Sequence, residues 1–201
     1  MKNLFILGVA VSFVSLAAFG QSDVRLGGSI GPSKIVSDNG DVWRLGFYLS
    51  GDVFYRVSDS FEVGGVVNLH RFAPDEDALM DKAGLNSSIY DIDVSGSSTF
   101  FQILSAVRTS IQLSPKTDLF VSGGFGVTFM RMQSEVRASI GWISASDEID
   151  ESEARPSLFI ANGIYFGSAG KFRFGINIAF HHIFIENGST QLLTAGFGIS
   201  K

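Results

Sequence analysis

The chain contains no cysteine, which excludes a disulfide framework and every thiolate-based metal or redox site. Whatever fold it adopts must be held by packing and by the backbone hydrogen-bond ladder. Positive charge is also scarce, with 15 Lys and Arg against 20 Asp and Glu and a net charge of −5. No basic stripe offsets that deficit, so a nucleic-acid partner is excluded. Beyond the first 20 residues no apolar run reaches the length of about 20 residues that a membrane-spanning helix needs. If this chain enters a bilayer it must do so with strands closed on themselves, because an unpaired backbone amide finds no partner in hydrocarbon. Proline is rare, at 4 residues, while glycine (23) and phenylalanine (19) are abundant, a balance that suits sheet better than helix.

Residues 1–20 carry Lys2, an apolar stretch from Leu4 to Leu16, and the small residues Ala18 and Gly20. That order reads as a secretory signal peptide cleaved before Gln21. Removing Lys2 takes the net charge from −5 to −6. Residues 21–201 then form a single domain.

Eight segments of that domain alternate apolar with small or polar residues. Their connections alternate too, short at 58–60, 114–117 and 168–170 and longer at 34–42, 73–98, 133–154 and 186–191. In the second segment Trp43, Leu45, Phe47, Leu49, Val53 and Tyr55 share one face, against Arg44, Tyr48, Ser50, Asp52 and Arg56 on the other. The seventh sets Phe172, Phe174, Ile176, Ile178 and Phe180 against Lys171, Arg173, Gly175, Asn177 and His181. In the sixth, the apolar register of Leu158, Ile160, Ile164 and Phe166 also takes in Asn162, which implies a bulge or an outward asparagine. Segments of about 10 to 13 residues exceed the usual length of soluble strands and match a strand that crosses a bilayer. The polar face is mostly Gly, Ser, Ala, Thr and Asn with few charges, which fits a narrow lumen better than a wet surface. These features predict an all-β fold: an eight-stranded antiparallel up-and-down transmembrane barrel, with short periplasmic turns and long extracellular loops. Trp43, Tyr55 and Phe172 are expected to be aromatics at the membrane interface.

The signal peptide, the eight two-faced strands and the glycine-rich last strand occur together with two turn segments, R-V-S-D-S-F-E-V-G-G at 56–65 and L-S-P-K-T-D-L-F-V-S-G-G-F-G at 113–126. Together they resemble the small outer-membrane barrels of the OmpA/OmpX type, over the whole of residues 21–201. The resemblance implies an integral outer-membrane protein, porin-like in architecture, surrounded by outer-membrane lipid and lipopolysaccharide.

The charges expected to point inward are Arg25, Arg44, Asp52, Arg56, Glu62, Arg108, Lys171 and Arg173. A charge in so narrow a space must be paired, so a luminal network is predicted in which Glu62 and Asp52 answer several arginines. Such a network can serve as an ion path or as a structural plug, and a lumen of eight strands, filled by side chains, favours the plug. No catalytic residues, cofactor site or metal ligands stand out. By register His181 points inward and His182 outward, the place where barrel-type lipid A deacylases carry their histidine. Those enzymes have a serine two residues later, and here that position is Phe184. A lipid-modifying barrel enzyme and a soluble exported ligand-binding barrel are therefore the alternatives to a structural or surface-interaction role in adhesion or envelope integrity. Both long central loops are acidic, with Asp75, Glu76, Asp77, Asp81, Asp91 and Asp93 in 73–98 and Glu135, Asp147, Glu148, Asp150, Glu151 and Glu153 in 133–154. They are the expected place for a surface ligand or partner protein, and their spacing lacks the glycine of a calcium loop. Pro74-Asp75, the stretch 78–83 and Gly84 predict one short capped helix. The alternation at 88–94 and 136–145 predicts strands that project past the bilayer.

Overall fold

The computed structural model describes residues 23–37, 40–84, 91–140, 143–167, 172–186 and 188–201. The signal peptide, the turn at 168–170, Lys171 and residues 88–90 and 141–142 lie outside the described residues, as do the side chains of Asp91, Asp93, Asp147 and Glu148. The strands are β1 (Val24–Ile35), β2 (Gly46–Ser58), β3 (Phe61–Phe72), β4 (Asp91–Ser114), β5 (Thr117–Ile140), β6 (Ile143–Phe166), β7 (Arg173–Ile185) and β8 (Gly188–Ser200). Each pairs antiparallel with the next, and β8 returns to β1, closing the barrel.

The closure is staggered. Following paired residues around the ring leads from Val24 to Tyr55, Val63, Val107, Gly123, Ile160, Phe180 and Leu193, and arrives back on β1 at Lys34, ten residues above the start. A climb of that size requires the strands to tilt relative to the barrel axis.

The two faces separate as the period-two pattern requires. Outward lie the greasy residues, among them Phe197 at 71% exposure, Phe125 at 67% and Phe174 at 66%. Inward lie His70, Gln102 and Thr128, each fully buried. The barrel is thus apolar on its outside, while its inside mixes polar groups with aromatic and aliphatic ones, unlike a soluble barrel with a wet outer face. Asn162 is the exception, an exposed amide between Val121 and Ile178 on the outer face, with the ladder unbroken around it. Of the two readings of this position, the outward asparagine is the one found.

One connection differs from the expected rhythm. The stretch at 186–191 is a tight hairpin, since β7 ends at Ile185 and β8 begins at Gly188. The stretch at 133–154 is strand through most of its length, as the alternation at 136–145 predicts. There β5 and β6, 24 residues each, run on with β4 beyond the rim, and their pairing continues to Ile140 and Ile143. The reason is local: alternating residues continue past the rim, so the ladder does too. The capped helix forms as α1 (Glu76–Ala83). Asp75 accepts a hydrogen bond from the Ala78 amide, and Gly84, at φ 66°, donates its amide to the carbonyls of Asp81 and Met80.

Close approach inside the ring demands glycine at Gly196, where Tyr48 lies so near that an added β-carbon would overlap its hydroxyl. Gly196→Val is expected to destabilise the barrel by about 1–3 kcal/mol through overpacking. The measurement is the temperature at which the compact, fast-migrating band on a gel converts to the unfolded one. If the overlap is the cause, adding Gly196→Val to Tyr48→Ala lowers that temperature no further.

Candidate functional site: a filled lumen and an open mouth

The lumen is layered from the short-turn end to the loop end. Near the short turns, alternation aims Arg25 from β1, Asp52 from β2, Glu62 from β3 and Arg108 from β4 at one another. Arg25 Nη1 lies 3.1 Å from Glu62 Oε1, Arg108 Nη2 lies 3.1 Å from Asp52 Oδ1, and Arg108 Nη1 lies 3.9 Å from Glu62 Oε2. Glu62 and Arg108 are each only 4% exposed. The Arg108 guanidinium also stacks over the Phe54 ring at 3.8 Å and the Phe120 ring at 5.0 Å, which offsets the two nitrogens, Nε and Nη1, that lack a hydrogen bond. A second pair joins Arg173 to Asp118.

Four of the eight expected luminal charges therefore meet in one cluster. Arg173 pairs elsewhere, with an aspartate not expected to take part. Asp118 was legible, since it stands on the polar register one residue before Leu119. Arg44 and Arg56 are exposed, Arg44 outside the ladder and Arg56 at the short-turn rim, where it pairs across the ladder with Glu62 on the inward face. Arg44 precedes β2, where its amide bonds the Ala73 carbonyl, and Arg56 lies at the register shift beside the tight turn. Lys171 is outside the described residues.

The middle layer is a neutral hydrogen-bond chain. Ser33 Oγ meets His70 Nδ1 at 3.1 Å, His70 Nε2 meets Gln102 Oε1 at 3.3 Å, and Gln102 Nε2 donates to Thr128 Oγ1 at 3.0 Å. Since an amide oxygen only accepts, His70 carries its proton on Nε2 and takes the Ser33 hydroxyl proton at Nδ1. Alongside it, Tyr48 donates to Asn177 at 2.7 Å and meets Ser29 at 3.1 Å. A cavity of about 50 Å³ borders Arg108, Tyr48 and His181, with room for water at the unpaired nitrogens of Arg108 and His181.

The upper layer is apolar. Ile35, Phe72, Phe100, Ile183 and Leu192 form a buried cluster across the ring, with Trp43 and Met130 packed on it. This corrects the expectation for Trp43. It lies before β2, bridges to Pro74, and covers the lumen instead of marking the membrane interface. A tryptophan outside the ladder is free to turn toward the larger apolar surface. Tyr55 does sit on the outer face, paired with Val24 and Val63, and Phe172 is 58% exposed beneath the Lys201 ammonium.

Above this cluster the mouth opens into a cavity of about 480 Å³, bordered by the inner faces of the projecting strands. On the outer face of the same projection Arg131 grips Asp150 through two nitrogens, at 2.9 and 3.2 Å, and holds that carboxyl below its ordinary range. Among the described residues no group of three or more His, Asp or Glu is arranged to hold a metal.

The fold and these sites define a class of protein, the eight-stranded up-and-down β-barrel with a side-chain-filled lumen. No family model matches the chain, and no curated protein does. Among solved structures it is similar to Neisserial surface protein A, at 11% identity and a TM-score of 0.55, over 88% of this chain and 95% of that one. It also aligns with the attachment invasion locus protein Ail of Yersinia pestis in complex with the heparin analogue sucrose octasulfate, at 16% identity and a TM-score of 0.47 over 89% and 99% of the two chains. The N-terminal barrel domain of Pseudomonas aeruginosa OprF aligns at 12% identity and a TM-score of 0.42, over 90% and 99%. Likeness at such identities shows the fold.

Glu62→Ala leaves two arginines facing one another without their shared anion. The expected loss is about 3–5 kcal/mol, with liposome conductance unchanged. Heat-dependent gel mobility and conductance measured on the same preparation check this. A rise in conductance with unchanged stability would mean the network gates an ion path.

Proposed function

We propose that this chain is an integral outer-membrane β-barrel of the OmpA/OmpX kind, exported by the leader 1–20. In this reading it works in envelope structure or surface interaction through its loop end, with its lumen plugged. The observation that carries this is the apolar belt on the outside of the ring, around a lumen that keeps its charged and amide groups inward. On β7 alone the outward residues from Phe172 to Phe184 include Phe174, Ile176 and Ile178, all at least half exposed. Twelve residues of tilted strand rise about 30 Å along the barrel axis, close to the thickness of a bilayer's hydrocarbon core. Water cannot solvate such a belt cheaply, whereas lipid and lipopolysaccharide chains match it. The same observation counts against a soluble exported barrel.

The filled lumen supports a plug over a pore, because ion pairs, amides and aromatics occupy the space an ion would cross. For the enzyme alternative, the decisive position is His182. Its ring lies edge-on to Phe184 at 4.6 Å, where a deacylase would present a hydroxyl. A role without catalysis follows in this reading, with partners meeting the acidic segments 73–98 and 133–154. With only Lys82 and Arg137 against twelve carboxylates, these segments favour a cationic or polar surface ligand over a polyanion.

Fractionation tests the reading. The protein is expected with the outer membrane, extractable only by detergent, and faster on gels before heating than after. Recovery in the soluble periplasmic fraction would overturn it, and a change in lipid A acylation between cells with and without the protein would restore the enzyme.

A further inference from the structure

The mouth cavity is built unlike the rest of the barrel. Its base is the apolar cluster, presented by Ile35, Phe100 and Met130 with the half-buried ring of Trp43 beside them. Its rim is acidic, with Glu153 opposite Met130 and Glu151 opposite Met132 in the β5–β6 ladder. The two carboxylates differ. Glu153 pairs with Arg155, which also reaches Glu186 at 3.4 Å. Glu151 is exposed on the rim and makes no hydrogen bond or ion pair with a described residue, so its carboxylate is accessible to a molecule that enters the cavity.

We propose that this mouth is a binding site for a small organic cation with a compact apolar body, its ammonium group held at Glu151 and its body seated on Phe100, Met130 and Trp43. Volume, lining and charge each narrow the ligand. At about 480 Å³ the space suits one small molecule rather than a peptide strand. An apolar floor disfavours a hydrated metal ion, and a carboxylate at the rim disfavours an anion or a lipid phosphate. A neutral hydrophobe would fill the floor and leave Glu151 unanswered. A cation on an apolar body meets both, its body against Trp43 and the floor and its charge at Glu151. The thioether of Met130 is adaptable enough to close around bodies of different outline. The inference uses only the geometry of the loop end and stands apart from the question of what surrounds the barrel.

The experiment titrates adamantyltrimethylammonium into the full-length mature protein in lipid nanodiscs, reading the fluorescence of Trp43 in a Trp142→Phe background. Saturable quenching is expected. Adamantanemethanol and adamantane carboxylate, equal in body but neutral or anionic, should bind about tenfold or more weakly, and tetramethylammonium, which lacks the body, should not saturate. Glu151→Gln should weaken the cation about fivefold and leave the alcohol unchanged, while Phe100→Ala should weaken both. Heat-dependent gel mobility shows that each variant is folded. Equal affinity for cation and alcohol, an unchanged affinity in Glu151→Gln, or a signal that rises without saturating as partition into lipid would give, overturns the proposal. Failure here in a protein that still fractionates with the outer membrane leaves the proposed function standing.

Discussion

Eight strands enclose too little space for bulk water, and every polar group turned inward must therefore find its partner within the ring. That shortage of water organises the rest of the structure. It explains why four charges from four different strands converge at the short-turn end, where two carboxylates sit among arginines rather than apart from them. It explains the stacking of Arg108 between Phe54 and Phe120, since a guanidinium that lacks acceptors for all its protons can still be held by aromatic faces. It also fixes the tautomer of His70, whose two nitrogens must do opposite things to satisfy Ser33 and Gln102.

The lumen changes character along its length. Ionic at the short-turn end, it becomes neutral and polar in the middle and apolar toward the loops, ending under Trp43. This order places the strongest directional interactions where the strands are joined by tight turns. The least directional ones lie toward the end that carries α1 and the projecting strands. The apolar cluster seals the polar interior from above and also forms the floor of the mouth, so one group of side chains serves both the stability of the barrel and the shape of its outer cavity.

The strand count, the closure of the sheet and the facing of most residues could be read from the sequence, because a period of two is unambiguous when one face is Phe and Ile and the other Gly and Ser. The inner ionic cluster was legible for the same reason, through Arg25, Asp52, Glu62 and Arg108. What escaped was the apolar seal. Its signal lies in places where alternation lapses and both faces turn apolar, at Phe100-Phe101, at Ile183-Phe184-Ile185 and at Leu192-Leu193. A pattern rule that rewards alternation passes over such lapses. Trp43 was misplaced because the register of β2 was extended three residues beyond Gly46, where the ladder begins. Near a rim the chain leaves the sheet, and periodicity no longer says where a side chain points. The projecting strands within 133–154 were legible at 136–145, where alternation continues beneath the acidic composition.

The staggered seam between β1 and β8 has one more consequence. Among the eight pairings it alone joins strands that are not consecutive in the chain, so no connection between them limits its register. The ten-residue climb is the accumulated result of the seven pairings before it. A slip of one residue in any of them would bring β8 to β1 with its faces exchanged, Phe197 turned to the lumen and Thr194 to the outside. A ring so misregistered could not zip shut without burying the wrong face. Closure of β8 onto β1 is therefore compatible with only one register of the seven other pairings, and so tests them all together.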